Sequence, residues 1–435
     1  MPELRKNRPV VGTCVELFAG GGGLAMGVHD AGFRPLLVNE YAKRAIETLQ
    51  TNEMPGGGKW PLKPGDVRSL TEDFKRLDGQ VDVLAGGPPC QPFSLGGVAK
   101  GVEDERNMFP QMFRAIREMR PKAVICENVR GLLRKSFEPY FNYILNELRL
   151  PFVERTEGAT WEEHNEVIEK LLANDSVPAS ERYYVEAVPV NAANFGVPQI
   201  RQRVIIVAFR ADLCADWENV WEERRPRQTH SDEALIHSMR EGGEYWSRYS
   251  WVDSEARARA IANLPTLNLD NARTRELVAL RPWRTLRDAI QGIDEFKGHS
   301  LPFVNTDDVN GKVQVGEISD HFGWPGARIY TGHTPNLLDR PAKTVKAGVH
   351  GVPGGESVMM MDDPTFDGSG YRYMTVRETA RVMTFPDDWR LAGPRGEKMR
   401  QLGNAVPVKL ARVFGEAVAA ALDSVGALDK PGLKR

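Results

Sequence analysis

The stretch Gly86-Gly87-Pro88-Pro89-Cys90-Gln91-Pro92-Phe93-Ser94 carries one thiol on a proline-stiffened turn. It follows directly on the apolar run Val81-Asp82-Val83-Leu84-Ala85. Pro88 and Pro89 fix φ and remove two backbone donors, and the glycines before them allow a sharp bend. Such a turn holds Cys90 at the carboxyl end of a strand, the edge where open α/β sheets bind ligands. The chemistry on offer there is that of a thiolate nucleophile. A buried structural cysteine is the alternative, because free Cys is among the most buried residue types.

Two further groups are suited to act beside a nucleophile. Glu127 follows the apolar run Ala123-Val124-Ile125-Cys126 and falls on the same strand-end edge; alone, it could equally be a carboxylate capping the next helix. Cys126, inside the run, is a core residue. In Gln199-Ile200-Arg201-Gln202-Arg203, alternation puts Gln199, Arg201 and Arg203 on one side of an extended segment. Two guanidiniums there can hold a phosphate, a carboxylate or a base carbonyl, or simply face solvent.

The elements that must position these groups are strands alternating with helices. Thr13 to Phe18 is a β-type run, Gly20 to Gly23 a glycine turn, Leu24 to Ala31 helix-like, and Pro35 to Asn39 a second strand closed by Glu40. Strand, glycine turn, helix, strand and acid is the order of a nucleotide-binding βαβ unit, in which the acid can hold ribose hydroxyls. Asp66, in Gly65-Asp66-Val67, is either a ligand-side acid or a turn and cap residue.

Composition narrows the class. A chain of 435 residues is long enough for roughly two or three domains. With 57 Lys+Arg against 59 Asp+Glu, no global basic field announces a nucleic acid, so contacts with one must come from local patches. The four cysteines (Cys14, Cys90, Cys126, Cys214) are far apart and the eight histidines scattered, which argues against a disulfide framework and a metal site. No apolar run approaches a membrane span and the N-terminus lacks a signal-type core. A soluble, cytoplasmic protein without metal or membrane partner is expected.

Taken together, the motifs resemble those of the cytosine-C5 DNA methyltransferases of bacterial or phage restriction-modification type. The resemblance covers roughly residues 11–210 and 335–422. It implies an α/β fold with a doubly wound, mostly parallel sheet of the adenosylmethionine-dependent methyltransferase type. A smaller mixed target-recognition domain would complete it. By resemblance, S-adenosylmethionine contacts Phe18, Ala19, Gly20, Gly22, Gly23, Glu40, Tyr41, Asp66, Val67 and Pro89. Asn404 and Val406, in Gly403-Asn404-Ala405-Val406-Pro407-Val408, would add to that site. Met108, in Arg106-Asn107-Met108-Phe109, is a looser match to a cofactor-side element. Arg340-Pro341-Ala342-Lys343-Thr344-Val345 resembles the element supporting the recognition domain.

The resemblance makes Cys90 the nucleophile that adds to carbon 6 of cytosine. Glu127 would act on ring N3 as a buried carboxyl, and Arg203 with Arg201 would orient the base. Gln91, Ser94, Gln199 and Arg340 become DNA contacts. The substrate implied is double-stranded DNA with a specific cytosine site, flipped out of the stack; a separately acting restriction endonuclease is the associated partner. Residues 1–212 and 385–435 are expected to form the catalytic, cofactor-binding domain and 213–384 the target-recognition domain. Base-reading residues are expected in loops between about 231 and 340, with the glycine-rich 346–355 as another DNA-side loop. The cluster Arg224-Arg225-Pro226-Arg227 and the strip Arg273, Arg275, Arg281, Arg284, Arg287 are either phosphate contacts or salt-bridged faces. The stretch 151–183 reads as an insertion with a polar surface helix around Glu162–Leu172. The rival functions are a tRNA cytosine-C5 methyltransferase and a catalytically silent DNA-binding homologue.

Overall fold

Runs such as Val83-Leu84-Ala85 and Val204 to Phe209 are apolar at every position, the pattern of strands covered on both faces. In the computed structural model they lie side by side in one sheet. The structure describes residues 9–89, 107–240, 243–292, 299–329, 331–347 and 357–428. The sheet comprises β1 (Gly12–Leu17), β2 (Phe33–Glu40), β3 (Leu62–Pro64), β4 (Val83–Gly86), β5 (Ala123–Val129), β6 (Tyr183–Asn191) and β7 (Gln202–Arg210). Its order is β3-β2-β1-β4-β5-β7-β6. Neighbours from β3 to β5 run parallel, and β7 runs antiparallel to β5. The expected α/β, mostly parallel architecture is present. β6 lies at the edge, where Pro189 and a partly exposed surface are tolerated.

Helices α1 (Gly23–Asp30), α2 (Lys43–Thr51), α3 (Thr71–Arg76), α4 (Phe109–Met119), α5 (Glu138–Arg149) and α6 (Trp161–Asn174) accompany the sheet. Val15, Leu17, Leu84, Val124 and Ile206 from the strands pack with Phe109, Met112, Phe113 and Ile116 of α4 in one apolar core. Cys126 is part of it. Gly86 is required by this packing: a Cβ there would sit 2.9 Å from Met112 Sδ and 3.1 Å from the Leu17 carbonyl. The sheet order reverses on either side of β1, so the carboxyl ends of β1 and β4 flank the switch point where such folds bind ligands.

The chain divides into two compact units. The first holds residues 1–190, 202–226 and 411–435, and the second 191–201 and 227–410. The second unit contains a small mixed sheet of Asn336–Leu337, Val358–Met360 and Tyr371–Tyr373. Its helical part packs around Leu235, Met239, Tyr245, Trp246 and Tyr249. Buried ion pairs bind it together: Arg287 lies 2.6 Å from Asp339 and 2.7 Å from Asp362, and Arg372 reaches Glu378 at 2.5 Å.

These pairs settle part of the reading of the basic segments. Arg287 is buried between two carboxylates and is not a phosphate contact. Arg273 pairs with Glu276, and Arg275 donates to the Leu269 and Asp270 carbonyls. In the first unit Arg225 pairs with Glu186 and Glu222. For these residues the salt-bridged alternative holds, with backbone carbonyls as acceptors for Arg275.

The inserted helix is also more than a polar surface. Thr160 and Glu163 form a capping box at the start of α6, which turns His164 and Ile168 inward. The His164 ring lies 2.9 Å from the Val153 carbonyl through Nε2 and 3.1 Å from the Tyr143 hydroxyl through Nδ1. A carbonyl only accepts, so Nε2 carries the proton and Nδ1 accepts from Tyr143. Burial pushes the adjacent Glu147 carboxyl up to about 7, while Tyr143, Arg117 and Arg155 pull it down. Its folded value lies above the usual 4.5. Stability from the retained proton is therefore full below that value and lost as pH rises through about 7. His164, held below its usual range mainly by burial, acts oppositely toward acid pH. Glu147→Gln should raise the melting temperature at pH 8 and leave it nearly unchanged at pH 5. Equal shifts at both pH values in thermal unfolding would contradict this assignment.

Candidate active site

The turn after β1 is shaped by local backbone. Phe18, at φ 60°, is a bulky residue in the left-handed region, which needs support from its surroundings. The Ala19 N–H donates to the Asn39 carbonyl at 3.0 Å, and Gly22 donates to Ala19 at 2.9 Å. Gly20 is left-handed as well, and a Cβ on it would meet nothing within 4 Å. Gly23 begins α1. Glu40 ties this turn to the second strand: Oε2 accepts from the Gly20 N–H at 2.6 Å, and Oε1 from Tyr41 and Ala42 at 2.8 and 2.6 Å. Tyr41 is exposed beside it. Asp66 caps the short turn Val67–Ser69 and pairs with Arg68 at 2.6 Å, and those contacts lower its pKa. Val67 is buried in the core.

Sequence reasoning missed Glu16. Its carboxyl, 2% exposed, sits one residue before the end of β1, and neither oxygen has a well-formed hydrogen-bond partner. Burial pushes it well above the usual carboxylate range; the Ala25 N–H draws it back and Glu40 adds to the rise. An orphaned carboxyl near the end of β1, beside the turn with open space over Gly20, fits a bound polar ligand. No apolar or metal signature in the sequence flagged it.

At the neighbouring strand ends, register pairs Leu17 of β1 with Gly86 of β4, and Gly86 with Cys126 of β5. The residues that follow, Gly87 to Pro89 and Glu127, therefore emerge on one edge. A Cβ on Gly87 would lie 3.6 Å from Glu127 Oε2, so that oxygen faces the turn leading to Cys90. The other oxygen, Oε1, lies 2.7 Å from Arg203 Nε in a largely buried ion pair whose N–H is not aligned for a hydrogen bond. Asn128, also unforeseen, donates from Nδ2 to the Pro88 carbonyl at 3.0 Å while its Oδ1 accepts from the Val129 N–H. It anchors the proline turn to β5. Pro89 is exposed at the end of this turn. Cys90, Gln91 and Ser94 lie outside the described residues.

Two residues of the expected set do other work. Gln199 is fully buried: its Nε2 lies 3.1 Å from Met383 Sδ, and Oε1 accepts from Arg201 and the Val345 N–H. It is not a DNA contact. Arg201, also buried, donates to the carbonyls of Val345, Gly403 and Ala405 at 3.0, 2.8 and 2.8 Å. It is a positioning residue rather than a catalytic one. It joins the segments around Val345 and Gly403, and a Cβ on Gly403 would lie 2.4 Å from the Ala347 N. Asn404 is exposed at the end of the helix Arg395–Asn404, and Val406 is buried beyond it. The Arg340 guanidinium is 2.7 Å from Asp232. Residues 348–355 of the glycine-rich segment lie outside the described residues.

A doubly wound sheet with a glycine turn, a strand-end acid and a carboxylate–guanidinium pair at the switch point defines an α/β ligand-binding enzyme domain. The sequence profile of the C-5 cytosine-specific DNA methylases matches residues 12–150 and 162–420, and the chain belongs to this family. It is a DNA (cytosine-5-)-methyltransferase. Type II methyltransferase M.Eco47II of Escherichia coli is 30% identical over 429 residues, covering 98% of this chain and 82% of that protein. Type II methyltransferase M.NgoMIV of Neisseria gonorrhoeae is 28% identical over 410 residues, 94% of this chain and 98% of its own length. The fold is shared with the S. pombe Dnmt2 methyltransferase, at a TM-score of 0.51 and 16% identity over 95% of this chain and 99% of that one. Among the described residues, no helix is long and apolar enough to cross a membrane, and no group of His, Cys, Asp and Glu is arranged to hold a metal.

Removing Asn128 frees the proline turn from β5. Asn128→Ala should lower kcat about tenfold, the equivalent of one lost buried hydrogen bond, with methyl-donor affinity unchanged in calorimetry. Unaltered turnover would dismiss the anchoring role. Arg201→Ala should cost roughly 3 kcal/mol in denaturant unfolding, because buried carbonyls lose their donor. Lost turnover at full stability would return Arg201 to the catalytic set.

Proposed function

We propose that this enzyme transfers a methyl group from S-adenosylmethionine to carbon 5 of one flipped-out cytosine in a short, specific duplex DNA site. The observation that carries the reading is the direction of Glu127 Oε2, toward Gly87 and the turn that leads into Cys90. The donor supplies an electrophilic methyl on a sulfonium sulfur. The open turn at Gly20, the polar groups of Glu40 and Glu16, and exposed Tyr41 support its placement after β1. Phe18, Ala19, Gly22, Gly23, Asp66, Val67 and Pro89 complete that site in the first unit.

Carbon 5 of cytosine is a poor nucleophile until carbon 6 is attacked. The Cys90 thiolate forms the S–C6 bond, and the electrons of the C5=C6 double bond shift toward carbon 5 and the ring. Glu127 Oε2 holds a proton or hydrogen bond at ring N3, and Arg203 fixes the carboxyl through Oε1. Carbon 5 then takes the methyl group as its bond to sulfur breaks. Loss of the carbon-5 proton to a base restores the double bond and expels Cys90 as thiolate. The duplex hides carbon 6, so the base must leave the stack first.

The relatives named Type II methyltransferases support a modification role beside a separately acting restriction endonuclease, in the cytoplasm. The direct test is base-resolution cytosine-methylation sequencing of DNA from a host without cytosine methylation, expressing the protein or Cys90→Ala. One short sequence methylated only by the intact protein is expected, and Cys90→Ser should be equally inactive. Methylation by either variant would overturn the covalent scheme, and methylation confined to tRNA would overturn the DNA assignment.

A further inference from the structure

The two ends of the stretch that contains Cys90 are bonded to each other. Cys90 follows Pro89 directly, and the described chain resumes at Asn107. The Met108 N–H donates to the Pro89 carbonyl at 3.2 Å, so exit and return share a backbone bond. Asn128 ties the exit to β5 through Pro88. The return has its own anchor in Asn107. Its Oδ1 accepts from the Phe109 N–H at 3.4 Å, at the start of α4, and its Nδ2 donates to the Tyr140 hydroxyl of α5. A side-chain amide bonded through both its oxygen and its nitrogen is held in one orientation.

Tyr140 is buried, and the inserted helix fixes its ring. Trp161, the first residue of α6, meets the Tyr140 ring edge-on at 5.3 Å and the Tyr143 ring at 5.6 Å. Such aromatic pairs are directional as well as apolar. The Thr160–Glu163 capping box sets where α6 begins, and so where Trp161 stands. Just beyond, His164 accepts from the Tyr143 hydroxyl and Asn165 Oδ1 accepts from Asn146 at 3.0 Å, which docks the helix on α5. Thr160 and Trp161 fall between the two stretches that the family profile matches. The brace is thus an addition of this chain to the matched framework.

The Tyr140 hydroxyl is more than packing requires. A phenylalanine would fill the same aromatic cluster, and what the hydroxyl adds is a bond to the return of the Cys90 segment. A nucleophile is sensitive to that kind of support, since a displacement of about 1 Å can cost on the order of a hundredfold in rate.

We propose that α6 braces the Cys90 segment through Trp161, Tyr140 and Asn107. These are positioning residues: they fix the return of the segment and, across the bond from Met108 to Pro89, the point from which Cys90 starts. This rests on the reading of Cys90 as the nucleophile and gives the inserted helix a part in the reaction.

The test measures how fast the full-length enzyme, with S-adenosylmethionine, becomes attached to a duplex carrying 5-fluorocytosine at the site found by methylation sequencing. No carbon-5 proton can leave from that base, so the adduct persists and is counted on a denaturing gel. Tyr140→Phe keeps the ring and should slow attachment about tenfold, the equivalent of one buried hydrogen bond, with donor and duplex affinities unchanged. Asn107→Ala should match it, and the double variant should be no slower than either single one. Trp161→Leu should slow attachment in the wild-type background and not in Tyr140→Phe. Wild-type attachment rates in Tyr140→Phe would overturn the proposal, as would losses that multiply in the double variant. A Trp161→Leu effect of equal size in both backgrounds would also overturn it, leaving α6 a merely structural helix. Failure of the underlying reading would look different: the wild-type enzyme itself would form no adduct.

Discussion

The antiparallel pairing of β7 against β5 is the constraint on which the candidate active site depends. It sets Arg203 opposite Val129 and Ile205 opposite Glu127. Glu127 and Val129 are two apart on one strand and so share a face, which makes Glu127 and Arg203 diagonal neighbours on that face. A register slip of one residue would turn the guanidinium to the other side of the sheet. The carboxylate would then keep its burial and lose its counterion, a costly state for a charge. The one antiparallel neighbour in the stretch from β3 to β7 is therefore what allows an acid to stand at the strand-end edge with one oxygen anchored and the other facing the proline turn.

The same strand boundary explains why alternation does not carry through all three residues. Reading Gln199, Arg201 and Arg203 as one face assumes a strand running through all three, but β7 begins at Gln202. Upstream of that residue the chain belongs to the second unit, where Gln199 and Arg201 are buried together. A guanidinium has five donors in a fixed plane, and Arg201 spends them on carbonyls from segments far apart in sequence. One short motif thus carries two arginines with separate duties: Arg203 holds a charged side chain, and Arg201 holds the backbone that carries Val345, Gly403 and Ala405.

What the sequence made legible was whatever depends on local pattern. Apolar runs covered on both faces marked β4, β5 and β7 to within three residues, and the glycine turn with Glu40 marked the βαβ unit. Residues whose work depends on a distant partner stayed hidden. Asn128 looks like part of a strand exit until Pro88, forty residues earlier, is found at its amide. Arg287 looks like one more arginine of a basic strip, and only the fold brings Asp339 and Asp362 to it. Glu16 reads as an ordinary polar position in a β-run, because nothing local reveals that its carboxyl lacks partners.

These hidden partners bear on how the second unit, with little regular sheet, can hold still. Its strands are two or three residues long, and a ladder that short fixes little. Buried pairs such as Arg372 with Glu378 and Arg287 with its two aspartates take over that duty. Each is charge-assisted and directional, so it specifies one arrangement of the loops it joins. Buried pairs are weak evidence of net stability, since desolvation offsets much of the attraction. Their value here lies in geometry: Glu378, which pairs with Arg372, also completes the capping box of Thr375, whose hydroxyl bonds His321. From a buried ion pair through a helix cap to a buried imidazole, every step is a fixed hydrogen bond.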